Sequence, residues 1–290
     1  MKILFKKLKS SFEMPIYGLG TWLMGGTKEK DPSNDDKKDI NTIQMNVDMG
    51  VKLIFTAQNY ADGYCEELVG RAIEKYDRKN IILCTAIRKE NSTYDNVLKS
   101  FDESLNRLRT NYIDIIYHHI RYQDVPIKET MKAFNQLVDA GKAKNIAVSN
   151  YSTDSLKEAQ DNSKYPIVAN QVYYNLMTRE SETSGLVRYC QENDVILQAY
   201  RPLGAGKLTL KGKYKIVDEM CKKYNMTPSQ IALSWLTSQP NITVVCTTSN
   251  KQHLKENLEA VNWGMNDDDI EKLRKEFPEQ IQVGECVKLE

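Results

Sequence analysis

The 290-residue sequence predicts an α/β protein, a (β/α)8 TIM barrel with an N-terminal β-hairpin, on three observations. Short apolar runs recur eight times along the chain, and each is followed by a stretch with apolar residues at helical spacing. The runs are near-continuously apolar rather than alternating, as strands covered on both faces by helices must be. Eight such units in about 250 residues suit a closed barrel better than an open doubly wound sheet.

The hairpin comes first, since residues 2–17 alternate loosely and break at Lys9 to Ser11. A first barrel strand follows near Ile16 to Leu19. Ile40, Ile43 and Val47 then mark a helical stripe, Leu53 to Thr56 a strand, Glu67 to Tyr76 a helix and Ile81 to Thr85 a buried strand. Val97, Phe101, Leu105 and Leu108 recur at helical spacing, and Ile113 to Tyr117 is again apolar strand. Met131, Phe134 and Val138 form a stripe that Gly141 ends. The remaining strands are Ile146 to Val148, Val168 to Val172, Val195 to Ala199 and Thr243 to Val245, with helices around Leu156, Leu186, Ile231 and Leu254. Thr227 before Pro228, and Asn266 before Asp267 to Asp269, are helix-start signals. No internal repeat beyond the βα unit and no low-complexity segment asks for a second domain, so residues 1–290 read as one.

Forty basic residues balance 39 acidic ones, for a net charge of +1. Capture of nucleic acid or of a membrane surface needs a basic excess, so a small-molecule or protein partner is expected instead. Cys65, Cys84, Cys190, Cys221, Cys246 and Cys286 show neither a CxxC pair nor metal-ligand spacing, which implies reduced thiols in a cytoplasmic protein and no metal. The start, MKILFKKLKSS, carries Lys2, Lys6, Lys7 and Lys9 without an apolar h-region, and no apolar run is long enough to span a bilayer. Oligomeric state is not legible. There is no GxGxxG opening a helix and no P-loop.

Leu53 to Tyr64, LIFTAQNYADGY, has the form of a buried strand emptying into a polar loop that holds Tyr60. In a parallel barrel, strand C-termini are where ligands bind, so this phenol is a candidate acid or hydrogen-bond donor. A surface-loop tyrosine with no chemistry fits the same stretch. The pattern lengthens at Thr27 to Asp36 and at Leu203 to Tyr214, both at strand C-terminal ends.

Six collinear strings carry a resemblance: GLGTW at Gly18 to Trp22, TAQNYADGYCEELVG, DIIYHH at Asp114 to His119, AVSNY at Ala147 to Tyr151, NQVYYN at Asn170 to Asn175, and AYRPLG at Ala199 to Gly204. Together they resemble the aldo-keto reductase family over nearly the whole chain. The resemblance implies a barrel that binds NADP(H) in an extended pose and reduces a small aldehyde or ketone. It implies that Ser149, Asn150 and Gln171 hold the nicotinamide carboxamide and that Tyr200 stacks on the ring, with Gly20, Thr21 and Trp22 near the cofactor. Arg201, standing where the family often has serine, would reach the pyrophosphate, and Leu203 and Gly204 would lie over the same phosphates. Val244 to Asn257 matches the adenosine-phosphate region, which brings in Thr247, Thr248, Ser249, His253, Glu256 and Asn257. His253 replaces the arginine that grips the 2′-phosphate, and Lys251 and Lys255 lack its bidentate fork, so the choice between NADP and NAD stays open.

The family's reduction uses aspartate, tyrosine, lysine and histidine. Tyr60 and His119 match two of these, while Phe55 and Ala86 occupy the aspartate and lysine positions. Joint loss has a physical logic, because removing one partner of a buried ion pair strands the other at a cost of about 3–5 kcal/mol. Phe55 would fill the space vacated by lysine. Lys89 and Asp62 fall off the required positions and are not replacements. Without the ammonium Tyr60 is a poorer acid, though Tyr60 and His119 remain as two hydrogen-bond donors toward a carbonyl, which leaves slow reduction. Two alternatives stand beside it: a non-catalytic NADP(H)-binding pseudoenzyme, and a reductase deliberately substituted at Phe55 and Ala86 to silence or repurpose its pocket. Trp22, Tyr64, Tyr122 and the Thr27 to Asp36 loop would line an apolar or aromatic pocket, and the tail from Pro278 to Glu290 would fold over the barrel mouth or extend freely.

Overall fold

A computed structural model of the chain describes residues 3–278 and 288–290. The hairpin forms as expected: β1 (Phe5–Lys7) pairs antiparallel with β2 (Glu13–Pro15), Phe5 facing Pro15 and Lys7 facing Glu13. Ser11, at φ +73°, makes the turn.

Eight strands then close a parallel barrel: β3 (Tyr17–Gly20), β4 (Leu53–Phe55), β5 (Ile82–Ile87), β6 (Ile113–His118), β7 (Ala143–Ser149), β8 (Ile167–Tyr173), β9 (Ile196–Tyr200) and β10 (Ile242–Cys246). They neighbour one another in chain order, and β10 pairs with β3 to close the ring. Nearly every strand residue is buried, which is what the continuous apolar runs require.

The described residues group into two compact units, one within Met1–Gly18 and Gln171–Leu289, the other made of Leu19–Asn170 with Glu290. The second unit carries α1 (Asp36–Asp48), α2 (Tyr64–Ile73), α3 (Tyr94–Arg107), α4 (Ile127–Asp139) and α5 (Thr153–Asp161). In α3, Val97, Phe101 and Leu105 are buried, as their spacing predicts. The α1 stripe departs from expectation: its buried face is Thr42, Ile43 and Asn46, while Ile40 and Val47 are half-buried. Asn46 is tolerated inside because its amide donates to the Thr42 carbonyl at 2.9 Å. Helix α2 begins and ends three residues before the predicted Glu67 to Tyr76. Gly63, in the left-handed region at φ +87°, supplies a start signal that apolar spacing does not carry. A Cβ there would stand 2.8 Å from Arg107 Nε.

The first unit carries α6 (Glu180–Thr183), α7 (Leu186–Glu192), α8 (Lys215–Tyr224), α9 (Pro228–Thr237), α10 (Lys251–Val261) and α11 (Asp267–Glu276). The expected one helix per strand is therefore exceeded, since two helices follow each of β8, β9 and β10. Thr227 and Gln230 form a reciprocal capping box on α9, and Asn266 caps α11. Helix α9 is buried almost all round, with Trp235 Nε1 donating to the Ile270 carbonyl at 3.2 Å.

Cys65, Cys84, Cys190, Cys221 and Cys246 are free thiols; Cys286 lies outside the described residues, as do Lys2 and most of the tail. The end of the chain is placed, with Glu290 N donating to the Asn150 carbonyl and Ser152 N donating to the Glu290 carbonyl. No helix among the described residues is long and apolar enough to cross a membrane, and none of their side chains cluster as metal ligands.

Candidate active site

Within Leu19–Asn170 the ends of β4, β5 and β6 gather a set of rings. The ladder continues past the strands, with Thr56 N, Gln58 N and His119 N donating to the carbonyls of Cys84, Ala86 and Ile87 at 3.0 Å each. These bonds bring Phe55, Ala86, Tyr60 and His119 into one region. Phe55 is 1% exposed and packs edge-on against Tyr117, centroids 5.1 Å apart, with His119 at 6.4 Å and Tyr60 at 6.5 Å. Tyr60 and His119 meet edge-on at 5.8 Å. Ala86 is fully buried. Edge-to-face packing on Tyr117 thus holds the apolar Phe55 ring.

Tyr60 opens a tight turn in which Ala61, Asp62 and Gly63 all have positive φ, +49°, +51° and +87°. Two of these are not glycine, a conformation costing about 1–2 kcal/mol each. The turn is held from outside. Arg88 Nη2 donates to the Gln58 carbonyl at 2.9 Å and to Asp62 Oδ1 at 2.6 Å, and Ala61 N donates to the Thr27 carbonyl. Gln58, 3% exposed, accepts from Arg88 N and Asn91 and donates to Ser100 O and Ser104 Oγ. Sequence reasoning read Gln58 as turn chemistry and passed over Arg88. The signal for Arg88 was its place two residues after Ala86, on the same face of an extended chain. Asp62 is exposed and paired with Arg88, and Lys89 is exposed, so neither substitutes for the missing pair.

The two adjacent histidines have opposite tasks. His118 is buried between Ser92 Oγ, 2.8 Å from Nε2, and Tyr151 Oη, 2.5 Å from Nδ1. Ser92 donates its own proton to the Lys89 carbonyl, so His118 donates through Nε2 and accepts at Nδ1. Burial, with the nearby His119 and Arg121 charges, lowers its pKa to about 3. It is a neutral strut. His119 is half-buried; burial lowers its pKa to about 4, and Nδ1 lies 2.8 Å from Asn59 Oδ1.

Of the other residues expected here, Gly20 ends β3 and Trp22 is 42% exposed. Thr21 is buried, its hydroxyl donating to the Phe55 carbonyl at 3.0 Å. Ser149 ends β7, and Asn150, at φ +61°, donates to Ser149 Oγ at 3.0 Å and to the His119 carbonyl at 3.1 Å. Tyr64 departs from the expected apolar pocket: it donates to Asp36, lies under Lys30 Nζ at 3.8 Å, and lines a shallow charged hollow with Glu29, Asp62 and Glu67. Tyr122 is half-buried.

The unit of residues 1–18 and 171–289 holds the remaining candidates. Gln171, 2% exposed at β8, donates to Gln198 Oε1 at 2.7 Å, and Gln198 and Thr243 both donate to Met14 Sδ at 3.4 Å. Tyr200 stacks on Tyr173, centroids 5.6 Å apart and planes within 14°. Arg201 has φ +49°, and its carbonyl accepts from Asn175 Nδ2. Leu203 precedes a left-handed run at Gly204, Ala205 and Gly206. Thr247 and Ser249 are exposed, and Thr248 Oγ1 accepts from Asn250 N. Asn250 caps α10 through Gln252 N and His253 N, leaving His253 exposed at the helix start. Glu256 accepts from Gln252, while Asn257 is buried against Tyr17 Oη at 3.5 Å. By donor chemistry these residues fit a dinucleotide: buried amides suit a carboxamide, a phenol face a flat ring, and a helix start with lysine and histidine a phosphate.

The aldo/keto reductase family model matches residues 17–276. Aldo-keto reductase YhdN of Bacillus subtilis is 31% identical over 299 aligned positions, covering 90% of this chain and 89% of that protein. A thermostable aldo-keto reductase, Tm1743, solved in complex with the inhibitor epalrestat, superposes with a TM-score of 0.90 at 34% identity, covering 94% of this chain and 99% of that one. An aldo-keto reductase from Klebsiella pneumoniae solved in complex with NADPH gives 0.83 at 26% identity, covering 97% and 98%.

Proposed function

The chain belongs to the aldo/keto reductase family, and from that premise we propose an NADP(H)-binding oxidoreductase that reduces a small aldehyde or ketone slowly. The observation that carries the word slowly is that buried Phe55 and fully buried Ala86 stand at the positions where the resemblance expects the carboxylate and the ammonium. NADPH, when bound, would supply the hydride. Ser149, Asn150 and Gln171 would hold its carboxamide, Tyr200 would pack the ring, and the left-handed loop at Gly204 with the start of α10 would face its phosphates. Gly20, Thr21, Trp22, Arg201, Leu203, Thr247, Thr248, Ser249, His253, Glu256 and Asn257 belong to the same proposed set. Tyr60 would hydrogen-bond the substrate oxygen and pass it a proton as the alcohol forms. No nearby ammonium aids that transfer, so the rate falls by about 100 to 1,000-fold from that of a complete tetrad.

The same substitutions favour a second reading, a pseudoenzyme that binds NADP(H) without turnover, and a third, deliberate silencing or repurposing of a working reductase. Five free thiols support a reducing, cytoplasmic setting, and a family match that runs through both compact units supports one domain. NADPH fluorescence titration followed by absorbance decay with a reactive aromatic aldehyde tests the reading. Binding with slow decay supports the oxidoreductase, binding without decay the pseudoenzyme, and no binding overturns both.

A further inference from the structure

We infer that Glu290 is a positioning residue for cofactor binding: its main chain pairs with the corner that follows β7 and holds Asn150 in place, so that docking of Glu290 and binding of NADP(H) strengthen each other. The inference rests on the reading in which Ser149 and Asn150 hold the nicotinamide carboxamide. Glu290 belongs to the same compact unit as that corner. Glu290 N donates to the Asn150 carbonyl at 2.9 Å, and Ser152 N donates to the Glu290 main-chain oxygen at 2.8 Å. One residue that bonds to both neighbours of Tyr151 makes the hydrogen-bond pattern of a parallel strand pair. The Glu290 side chain takes no part in either bond.

The corner is anchored on its other sides as well. Tyr151 N donates to Asn170 Oδ1 at 3.4 Å, the Tyr151 carbonyl accepts from Asn170 Nδ2 at 2.8 Å, and Ser152 Oγ caps α5 by accepting from Ser155 N. Between the end of β7 and these anchors Asn150 turns through the left-handed region at φ +61°, which a residue other than glycine holds only where its surroundings fix it. Its side chain carries that backbone setting into the site. Asn150 Nδ2 donates to Ser149 Oγ at 3.0 Å and to the His119 carbonyl at 3.1 Å, so a shift of the Asn150 peptide moves both groups assigned to the carboxamide. Glu290 bonds to that peptide directly. Holding a binding group in position before the ligand arrives raises affinity by cutting the cost of ordering it, and linkage makes the gain reciprocal.

The test begins with cofactor-free protein. Hydrogen exchange should find the Glu290 and Ser152 amides protected in the wild type. The Ser152 amide should exchange faster in Glu290→Pro, which has no N–H to give, and not in Glu290→Ala, which keeps both main-chain groups. In protein labelled with ¹⁵N-asparagine, the Asn150 side-chain signal is the one lost in Asn150→Asp. It should shift in Glu290→Pro and stay put in Glu290→Ala. NADPH affinity should then fall about fivefold in Glu290→Pro and hold in Glu290→Ala, while 2′,5′-ADP, which has no nicotinamide, binds the wild type and both variants equally. Saturating NADPH should slow Glu290 exchange in the wild type by the same factor. An unprotected Glu290 amide, an Asn150 signal indifferent to Glu290→Pro, equal NADPH affinities, or an equal loss of NADPH and 2′,5′-ADP binding overturns the inference. Failure of NADPH to bind the wild type overturns the oxidoreductase reading instead, and the exchange and asparagine spectra of the cofactor-free protein still decide whether Glu290 holds Asn150.

Discussion

The ring cluster around Phe55 and the amide chain around Gln171 were altered to different extents relative to what the family resemblance leads one to expect. In the first, a buried aromatic ring and a buried methyl group stand where the resemblance leads one to expect aspartate and lysine. In the second, Gln171 persists and is braced by a second buried amide, Gln198, which leans in turn on Met14. A buried ion pair can be lost only as a whole, because either charge alone is costly to bury. Buried amides are different, since each needs only a local hydrogen-bond partner, and here the partners remain.

The contrast breaks most sharply if one charge is returned alone. Phe55→Asp buries an unpaired carboxylate and should lower stability by about 3–5 kcal/mol, read as a fall in the urea midpoint. Adding Ala86→Lys to it should recover the midpoint and raise aldehyde turnover by about 100-fold or more, with NADPH affinity unchanged. Recovery of stability without turnover would mean that Tyr60 lies out of line with the rebuilt pair. A smaller loss, about 2 kcal/mol, is expected for Gly63→Ala, which forces a Cβ onto Arg107 at φ +87°. That loss should appear in the Tyr60 turn first, as faster amide exchange from Tyr60 to Tyr64 than elsewhere.

His118 offers a pH test of the same region. Burial holds its folded pKa near 3 against an unfolded value of about 6.5. Above pH 6.5 both states are neutral and the residue has no effect. Below it the unfolded chain takes up a proton that the folded one refuses, so stability falls toward pH 3 by up to about 1.4 kcal/mol per pH unit. His118→Asn should flatten that slope in urea titrations between pH 6 and 4. The mildest effect belongs to the amide side: Gln198→Leu frees the Gln171 amide, and NADPH binding should weaken about fivefold while the urea midpoint moves little.

Much of the fold was legible because its signals are local. Val97, Phe101 and Leu105 repeat at helical spacing, Thr227-Pro228 and Asn266 cap helices through bonds three residues long, and the apolar strands announce burial on both faces. Signals that depend on backbone conformation were missed, as at α2, whose start is set by a left-handed Gly63. In the site, Phe55, Ala86, Tyr60 and His119 were legible from their order along the chain. The contacts that hold them were not: Arg88 reaches the Gln58 carbonyl and Asp62 across strand ends, and Asn59 lies against His119 across 60 residues.

The amino-acid order alone therefore determined the barrel and the family, since each is written in residue identity and spacing. Only the tertiary structure decided that His118 is held between Ser92 and Tyr151, and which of its two nitrogens carries the proton. A proton's position is set by which acceptor comes within 3 Å of which nitrogen, and folding alone brings those atoms together.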